Sequence, residues 1–171
     1  MVRVFLLIGI ALYSLAPLAQ AQNVAPHQHS ETSDMIDGAV HPELIPDSIA
    51  YRLYFLTNST GPMPTEEDQK RQQAQLGKVG LQDDDLKTLV SVLSEFRATY
   101  DALVAQYNRS AQAATARNEA GDMSSFLRQR DGLVESTRDT LKLRLTPGGI
   151  LLLDSFVRSE KKHMKVHTEG Q

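Results

Sequence analysis

The clearest pattern in the chain is a recurrence of apolar side chains at alternating steps of three and four residues through its middle. Such spacing places the side chains on one face of an α-helix, as in a two-helix seam. Three aspartates precede the first apolar position, where carboxylates favour a helix N-terminus. The pattern predicts a long helix over residues 83–108, continuing into the alanines that follow. The seam consists of Leu86, Leu89, Leu93, Phe96, Tyr100, Leu103 and Tyr107.

Four further helices are predicted from apolar periodicity and end signals. The first runs over 46–57, and a short, mostly polar second helix begins after Thr65 and reaches Leu76. The fourth follows Gly121-Asp122, and the last opens at Thr146-Pro147. No segment alternates as a strand would. The sequence therefore predicts an all-α fold, a helical bundle built on a long antiparallel helix hairpin.

The segments at the two ends of the chain lack this periodicity. Arg3, an apolar run and Ala19-Gln20-Ala21 match a cleavable signal peptide over residues 1–21. Residues 22–41 are polar and predict a flexible N-terminal tail. The helical domain is expected over 42–164, with a C-terminal tail over 165–171.

Composition narrows the class of protein. The chain has no cysteine, so it contains neither a disulfide nor a lipid-attachment thiol. Without Arg3 the processed chain keeps 17 basic and 21 acidic residues, a net charge of −4 that argues against nucleic-acid binding. Histidines occur only near the two ends, and no serine lies in a nucleophile elbow. These features predict that the protein is not an enzyme, has no cofactor and keeps no membrane span after cleavage.

The first helix carries a broad apolar stripe formed by Tyr51, Tyr54, Phe55 and Leu56. Two interpretations remain open for it. The stripe packs onto the long hairpin, or part of it stays exposed as a surface for apolar partners. These four residues are the candidate partner-binding residues.

The terminal histidines give a candidate metal site. His27 and His29 form an H-x-H pair, and His163, Met164 and His167 form H-M-x-x-H. Imidazole and thioether together suit copper, and imidazole also suits zinc. His163 and His167 would share one face if the last helix continued through them. The alternative is that they are ordinary terminal residues.

Two segments carry a family resemblance. Leu81-Gln82-Asp83-Asp84-Asp85 and Leu145-Thr146-Pro147-Gly148-Gly149 each open a helix with spaced apolar residues behind it. Together they resemble the LTxxQ-type helix starts of the small periplasmic Spy/CpxP-like proteins. Gln82, Asp85 and Gly149 depart from that pattern. The segment Pro42–Arg52 also resembles the opening of small uncharacterised bacterial exported proteins. This second resemblance implies no function.

The Spy/CpxP-like resemblance implies a helical, dimeric envelope protein that shields unfolded clients or responds to stress. We therefore expect an exported bacterial protein, periplasmic or extracellular, acting as a chaperone-like binding module for apolar or unfolded proteins. A copper or zinc binder and a structural or interaction protein are the alternatives. A homodimer is the expected assembly.

Overall fold

A computed structural model describes residues 35–117, 119 and 121–167, and in this part of the chain five α-helices dominate. The all-α helical bundle is confirmed. Two single-turn 3₁₀ helices and two three-residue strands complete it. The signal peptide expected over 1–21 and the histidines His27 and His29 lie outside the described residues. The α-helices are α1 (Asp47–Asn58), α2 (Glu66–Gly77), α3 (Asp83–Thr115), α4 (Met123–Arg144) and α5 (Pro147–Glu160).

Local capping signals start three of these helices at the expected places. Thr65 and Asp68 form a reciprocal capping box at α2, in which each side chain accepts the other residue's backbone N–H. Asp122 accepts the backbone N–H of Ser125 at 3.0 Å, and Thr146 caps α5. The alanines after residue 108 continue α3 to Thr115, as predicted.

Helices α3 and α4 form the predicted antiparallel hairpin. Glu95 of α3 forms a salt bridge with Arg144 of α4 at 3.1 Å, and Tyr107, later in α3, contacts Phe126, earlier in α4. The two helices are therefore antiparallel. At 1.5 Å per residue, the 33 residues of α3 span about 50 Å. Helices α1 and α5 pack against the half of the hairpin that contains the start of α3 and the end of α4.

The core lies in that half of the hairpin. Phe55 of α1 is fully buried at its centre, 5.2 Å from the ring of Phe96 and 5.5 Å from that of Tyr51. Helix α2 contributes only Leu76 among its own residues, which matches its polar sequence. The other large, fully buried apolar side chains of the described residues are Ile45, Leu89, Val92, Leu93, Val134, Leu141, Leu153 and Val157.

Two strands correct the predicted limits of the helical domain. The ends expected as tails, 22–41 and 165–171, contribute β1 (Met35–Asp37) and β2 (Lys165–His167), which pair antiparallel. The backbone N–H of Gly38 then donates to the carbonyl of Met164 at 2.8 Å. Strands of three residues are too short to show an alternating pattern, so the sequence could not reveal them.

An ion pair fastens the end of α5 to the start of α1. Lys161, in the 3₁₀ helix Lys161–His163, is buried and places its Nζ 2.6 Å from a carboxylate oxygen of Asp47. Its hydrogen bond holds the pKa of Asp47 below the ordinary value. The second 3₁₀ helix, Pro42–Leu44, connects β1 to α1. Over the described residues, no helix combines the length and apolar character that crossing a bilayer requires.

Candidate functional site

The apolar stripe of α1 is part of the core. Tyr51, Tyr54 and Phe55 are buried, and Leu56 is half-buried against the same cluster. The expectation that this stripe stays exposed is wrong for the first three residues, because the aromatic side chains fill the space between the hairpin and α5. For these three residues the other interpretation, packing onto the long hairpin, is the one that the structure supports.

A polar contact network surrounds one of these rings. The Tyr51 hydroxyl donates a short hydrogen bond to the carboxylate of Asp154, and the Arg138 guanidinium lies 4.3 Å from the ring centroid. Burial, with the hydrogen bond to Asp154, raises the pKa of Tyr51 well above its ordinary value. The phenol therefore stays protonated. It donates the hydrogen bond that joins α1 to α5.

The C-terminal histidine and methionine residues do not share a helix face. Helix α5 ends at Glu160, His163 ends the following 3₁₀ turn, and His167 lies in β2. The i,i+4 arrangement that would have brought His163 and His167 together is therefore wrong. Met164 is half-buried between them. No three His, Cys, Asp or Glu side chains of the described chain gather into a group that could hold a metal ion.

Pairing of the strands creates a different histidine and methionine neighbourhood. Met35 and His167 are directly opposite in the antiparallel ladder, and both are exposed. Directly opposite residues project from the same face of a sheet. Sequence reasoning missed this pair because it placed both residues in unstructured tails.

The two segments that carry the family resemblance meet in space. Asp85, the last residue of the first motif, is buried and accepts the backbone N–H of Thr146 at 2.9 Å and its hydroxyl at 2.6 Å. Thr146 Oγ1 in turn accepts the backbone N–H of Gly149 at 3.1 Å. Both Thr146 hydrogen bonds hold the pKa of Asp85 below its ordinary value. This arrangement locks the start of α5 onto the start of α3 and is structural.

The other half of the hairpin extends away from the core. We call residues 100–115 of α3 with residues 123–132 of α4 the distal arm. Among the described residues of this arm, only Ala114 is buried. Six larger apolar side chains of the arm are half-buried, namely Tyr100, Leu103, Val104, Tyr107, Phe126 and Leu127.

A groove with a volume of about 210 Å³ runs between the two helices of the distal arm. Leu103, Tyr107 and Phe126 form its apolar floor, and the rings of Tyr107 and Phe126 are 4.9 Å apart. Polar side chains line its edges: Gln106, Ser110, Asp122, Ser125 and Gln129. The seam pattern had identified Leu103 and Tyr107, but it could not show that they would lie beyond the reach of α1 and α5.

The distal arm is electrically balanced when the connection 116–122 between its two helices is counted with it. Four arginines and four carboxylates occur between residues 100 and 132, so this segment carries no formal net charge. Arg117 pairs with Glu119 at 2.9 Å, and Arg130 pairs with Asp131 at 2.8 Å. A balanced surface attracts neither polyanions nor polycations strongly.

Comparisons with known proteins add no family to this geometry: no family model, no curated protein and no solved structure matches the chain. The resemblance to Spy/CpxP-like proteins therefore stays a prediction.

Proposed function

We propose that this protein is an exported, non-enzymatic binding module that holds apolar segments of unfolded proteins on its distal arm. The observation that carries the proposal is the groove floored by Leu103, Tyr107 and Phe126. It lies on a two-helix extension that the rest of the described chain leaves uncovered.

The chemistry of the groove suits an unfolded client. Its floor accepts an apolar side chain, and the amides and hydroxyls at its edges can hydrogen-bond a client backbone that has no secondary structure. Gln129 already donates to the Ser125 hydroxyl at 3.1 Å, a contact between exposed groups that a client could replace at little cost. Such binding requires no nucleotide.

An aggregation assay tests this function. The protein beginning at residue 22 is mixed with a chemically denatured client, and light scattering is followed without ATP. We expect an equimolar amount to suppress scattering and the double substitution Tyr107→Ser with Phe126→Ser to lose most of that effect. Leu151→Ser is the matched control, because Leu151 is 69% exposed on α5 and outside the distal arm.

Three results would overturn the proposal. They are unchanged scattering with the unmodified protein, full suppression by the double variant, and equal loss in Leu151→Ser. Circular dichroism checks that each variant keeps its helices. Sedimentation of the unmodified protein tests the expected homodimer, which would cover the distal arm if it formed there.

A second candidate function, copper binding at the terminal strands, rests on the pairing of Met35 with His167. A thioether and an imidazole on one exposed sheet face are ligands that Cu(I) accepts. His29 and His27 precede Met35 by six and eight positions and could add imidazoles.

Titration of Cu(I) against a chromogenic chelator tests the copper site. We expect His167→Ala and Met35→Leu each to weaken binding by about tenfold or more, and His163→Ala to leave it unchanged. Equal affinity in all three variants would exclude the strand pair as the site. A protein that takes no Cu(I) from the chelator would exclude the function.

A further inference from the structure

A polar cavity of about 290 Å³ lies between the end of α1, one face of α2 and the middle of α3. We call it the α2 cavity. It differs from the groove of the distal arm in both position and lining. The end of α1 and the loop that follows it form one wall, with Thr57, Asn58, Ser59, Thr60 and Gly61. Helices α2 and α3 supply Asp68, Arg71, Gln72, Gln75 and Arg97.

The walls of the α2 cavity are held by specific hydrogen bonds. Gln72 of α2 donates its side-chain N–H to the carbonyl of Asn58 at 2.8 Å, and the Asn58 side chain donates to the carbonyl of Tyr54 at 2.8 Å. Asn58 is buried, so its amide orientation is fixed by this bond. The loop and the polar helix α2 are thus tied together with the cavity between them.

One buried hydroxyl in the α2 cavity wall has no hydrogen-bond partner. Ser59 is 8% exposed, and its Oγ meets no donor or acceptor of the described chain. Leaving a buried hydroxyl unpaired costs about 1–3 kcal/mol, so such groups are rare unless they serve a purpose. Because Ser59 lines the cavity, its unpaired hydroxyl is the group of this wall that a ligand would satisfy.

Charges of both signs line the α2 cavity. Arg97 donates Nε to both carboxylate oxygens of Asp101, at 2.9 and 3.0 Å, and these bonds use none of its four Nη hydrogens. Arg71 adds a second guanidinium at the rim. Asp68, one turn before Arg71 on α2, accepts from that guanidinium at 3.4 Å, and hydrogen bonds from Thr65 hold the pKa of Asp68 below its ordinary value. The C-terminal end of α1 at Asn58 adds partial negative charge.

From this arrangement we propose that the α2 cavity binds a free amino acid. The α-carboxylate pairs with Arg97 and Arg71, and the α-ammonium faces Asp68 and the carbonyl end of α1. Ser59 supplies a further hydrogen bond. The volume lies below the roughly 300–1,000 Å³ of pockets for drug-sized ligands, which restricts the occupant to a small molecule. A simple anion would be repelled by the end of α1, and a simple cation by the arginines.

Thermal-shift measurements and calorimetry test the proposal with the protein that begins at residue 22. The twenty amino acids are added singly at millimolar concentration, beside acetate, inorganic phosphate and methylamine. We expect at least one amino acid to raise Tm and to release or absorb heat with saturation. The three partial mimics, which lack one of the two charges, should do neither.

Variants locate the binding. Arg97→Gln should weaken the amino acid's affinity by about tenfold or more, because it removes charged hydrogen bonds to the carboxylate. Ser59→Ala should weaken it less. Arg109→Gln is the matched control, since Arg109 is exposed on the same helix and outside the cavity.

Four results would overturn the inference. The first is that no amino acid shifts Tm or gives a heat of binding. The second and third are that acetate or phosphate alone, or methylamine alone, shifts Tm as much as an amino acid does. The fourth is that Arg97→Gln binds the amino acid as tightly as the unmodified protein. Circular dichroism of Arg97→Gln establishes that it is folded, so that lost binding reports on the cavity. Failure of this experiment leaves the client-binding proposal untouched, because the distal arm shares no residue with the cavity.

Discussion

At the start of α5, Gly149 lies against the carboxylate of Asp85, and no side chain fits between them. A Cβ at Gly149 would come within 2.7 Å of Asp85 Cγ, and closer still to one of its oxygens. Asp85 cannot retreat without losing its two bonds to Thr146. Gly148, the preceding residue, has open space where its Cβ would be.

This contrast predicts opposite effects of the same substitution at neighbouring positions. Gly149→Ala should lower the free energy of unfolding by about 1–3 kcal/mol through the forced contact. Gly148→Ala should raise it by up to about 1 kcal/mol, because alanine loses less entropy in a helix. Chemical denaturation of both variants is the measurement. Equal effects of the two substitutions would show that the Asp85 contact is not tight.

The same carboxylate predicts a pH dependence. The pKa of Asp85 in the folded protein lies below its ordinary value of 3.8, so its bonds to Thr146 contribute fully at pH values above 3.8. As the pH falls through the lowered pKa, the folded state must also take up the proton and this contribution is lost.

We expect Asp85→Asn to have a lower Tm than the unmodified protein at about pH 6, with the difference shrinking towards about pH 3. Asn keeps the size of Asp but cannot accept two hydrogen bonds as an anion does. Thermal melts across this range are the test, with Asp83→Asn as the exposed control on the same helix turn. A Tm difference that stays constant with pH would contradict the assignment.

Among the elements, the two short strands were not predicted from the sequence, which placed both segments in tails. Their pairing predicts how substitutions of two valines change the stability of the protein. Val166 of β2 is 7% exposed, whereas Val40 in the turn after β1 is 66% exposed. Val166→Ser should destabilise the protein by about 1–3 kcal/mol, since it exchanges buried methyl groups for a hydroxyl. Val40→Ser should change stability by less than about 0.5 kcal/mol.

Denaturant titration distinguishes the two valines. If Val166→Ser were as harmless as Val40→Ser, residues 165–167 would be the tail that the sequence predicts, and the strand pairing would not persist in solution. The strand pair also brings Met35 to His167, so this measurement bears on the copper site as well.

At the scale of the molecule, burial in the described residues is concentrated at one end of the hairpin. Leu89, Leu93 and Phe96 of α3 are buried in the core that includes α1, whereas Ala114 is the one residue of α3 beyond Phe96 that is buried. Regions with few buried apolar contacts open at a lower free energy than the core does. The stability of α3 should therefore fall along its length.

Amide hydrogen exchange is expected to show this gradient. Amides of 89–96 and 153–157 should exchange at the rate of global unfolding, and amides of 104–113 and 124–130 many times faster. Dilution to low micromolar protein is the control, because a dimer over the distal arm would lose protection on dilution. Uniform protection of α3 at every concentration would contradict the gradient.

The sequence predicted much of the fold but little of the candidate site. Helix starts depend on side chains within three residues of one another, as in Thr65–Asp68, so they can be identified without a tertiary structure. The α2 cavity and the distal groove depend on how the helices pack against one another. That packing is determined by contacts between residues that are far apart in the sequence. Arg97, for example, carries no sign in the sequence that it faces the loop after α1.

By itself, the sequence determined the all-α class, the starts of α2, α4 and α5 and the antiparallel hairpin, because periodicity and capping act over one or two turns. Only the tertiary structure decided that Tyr51, Tyr54 and Phe55 are buried while Tyr107 and Phe126 remain accessible. Both sets are apolar residues at helical spacing, so their patterns are equivalent. Burial differs because α1 and α5 are about half the length of the hairpin or less and cover one end of it.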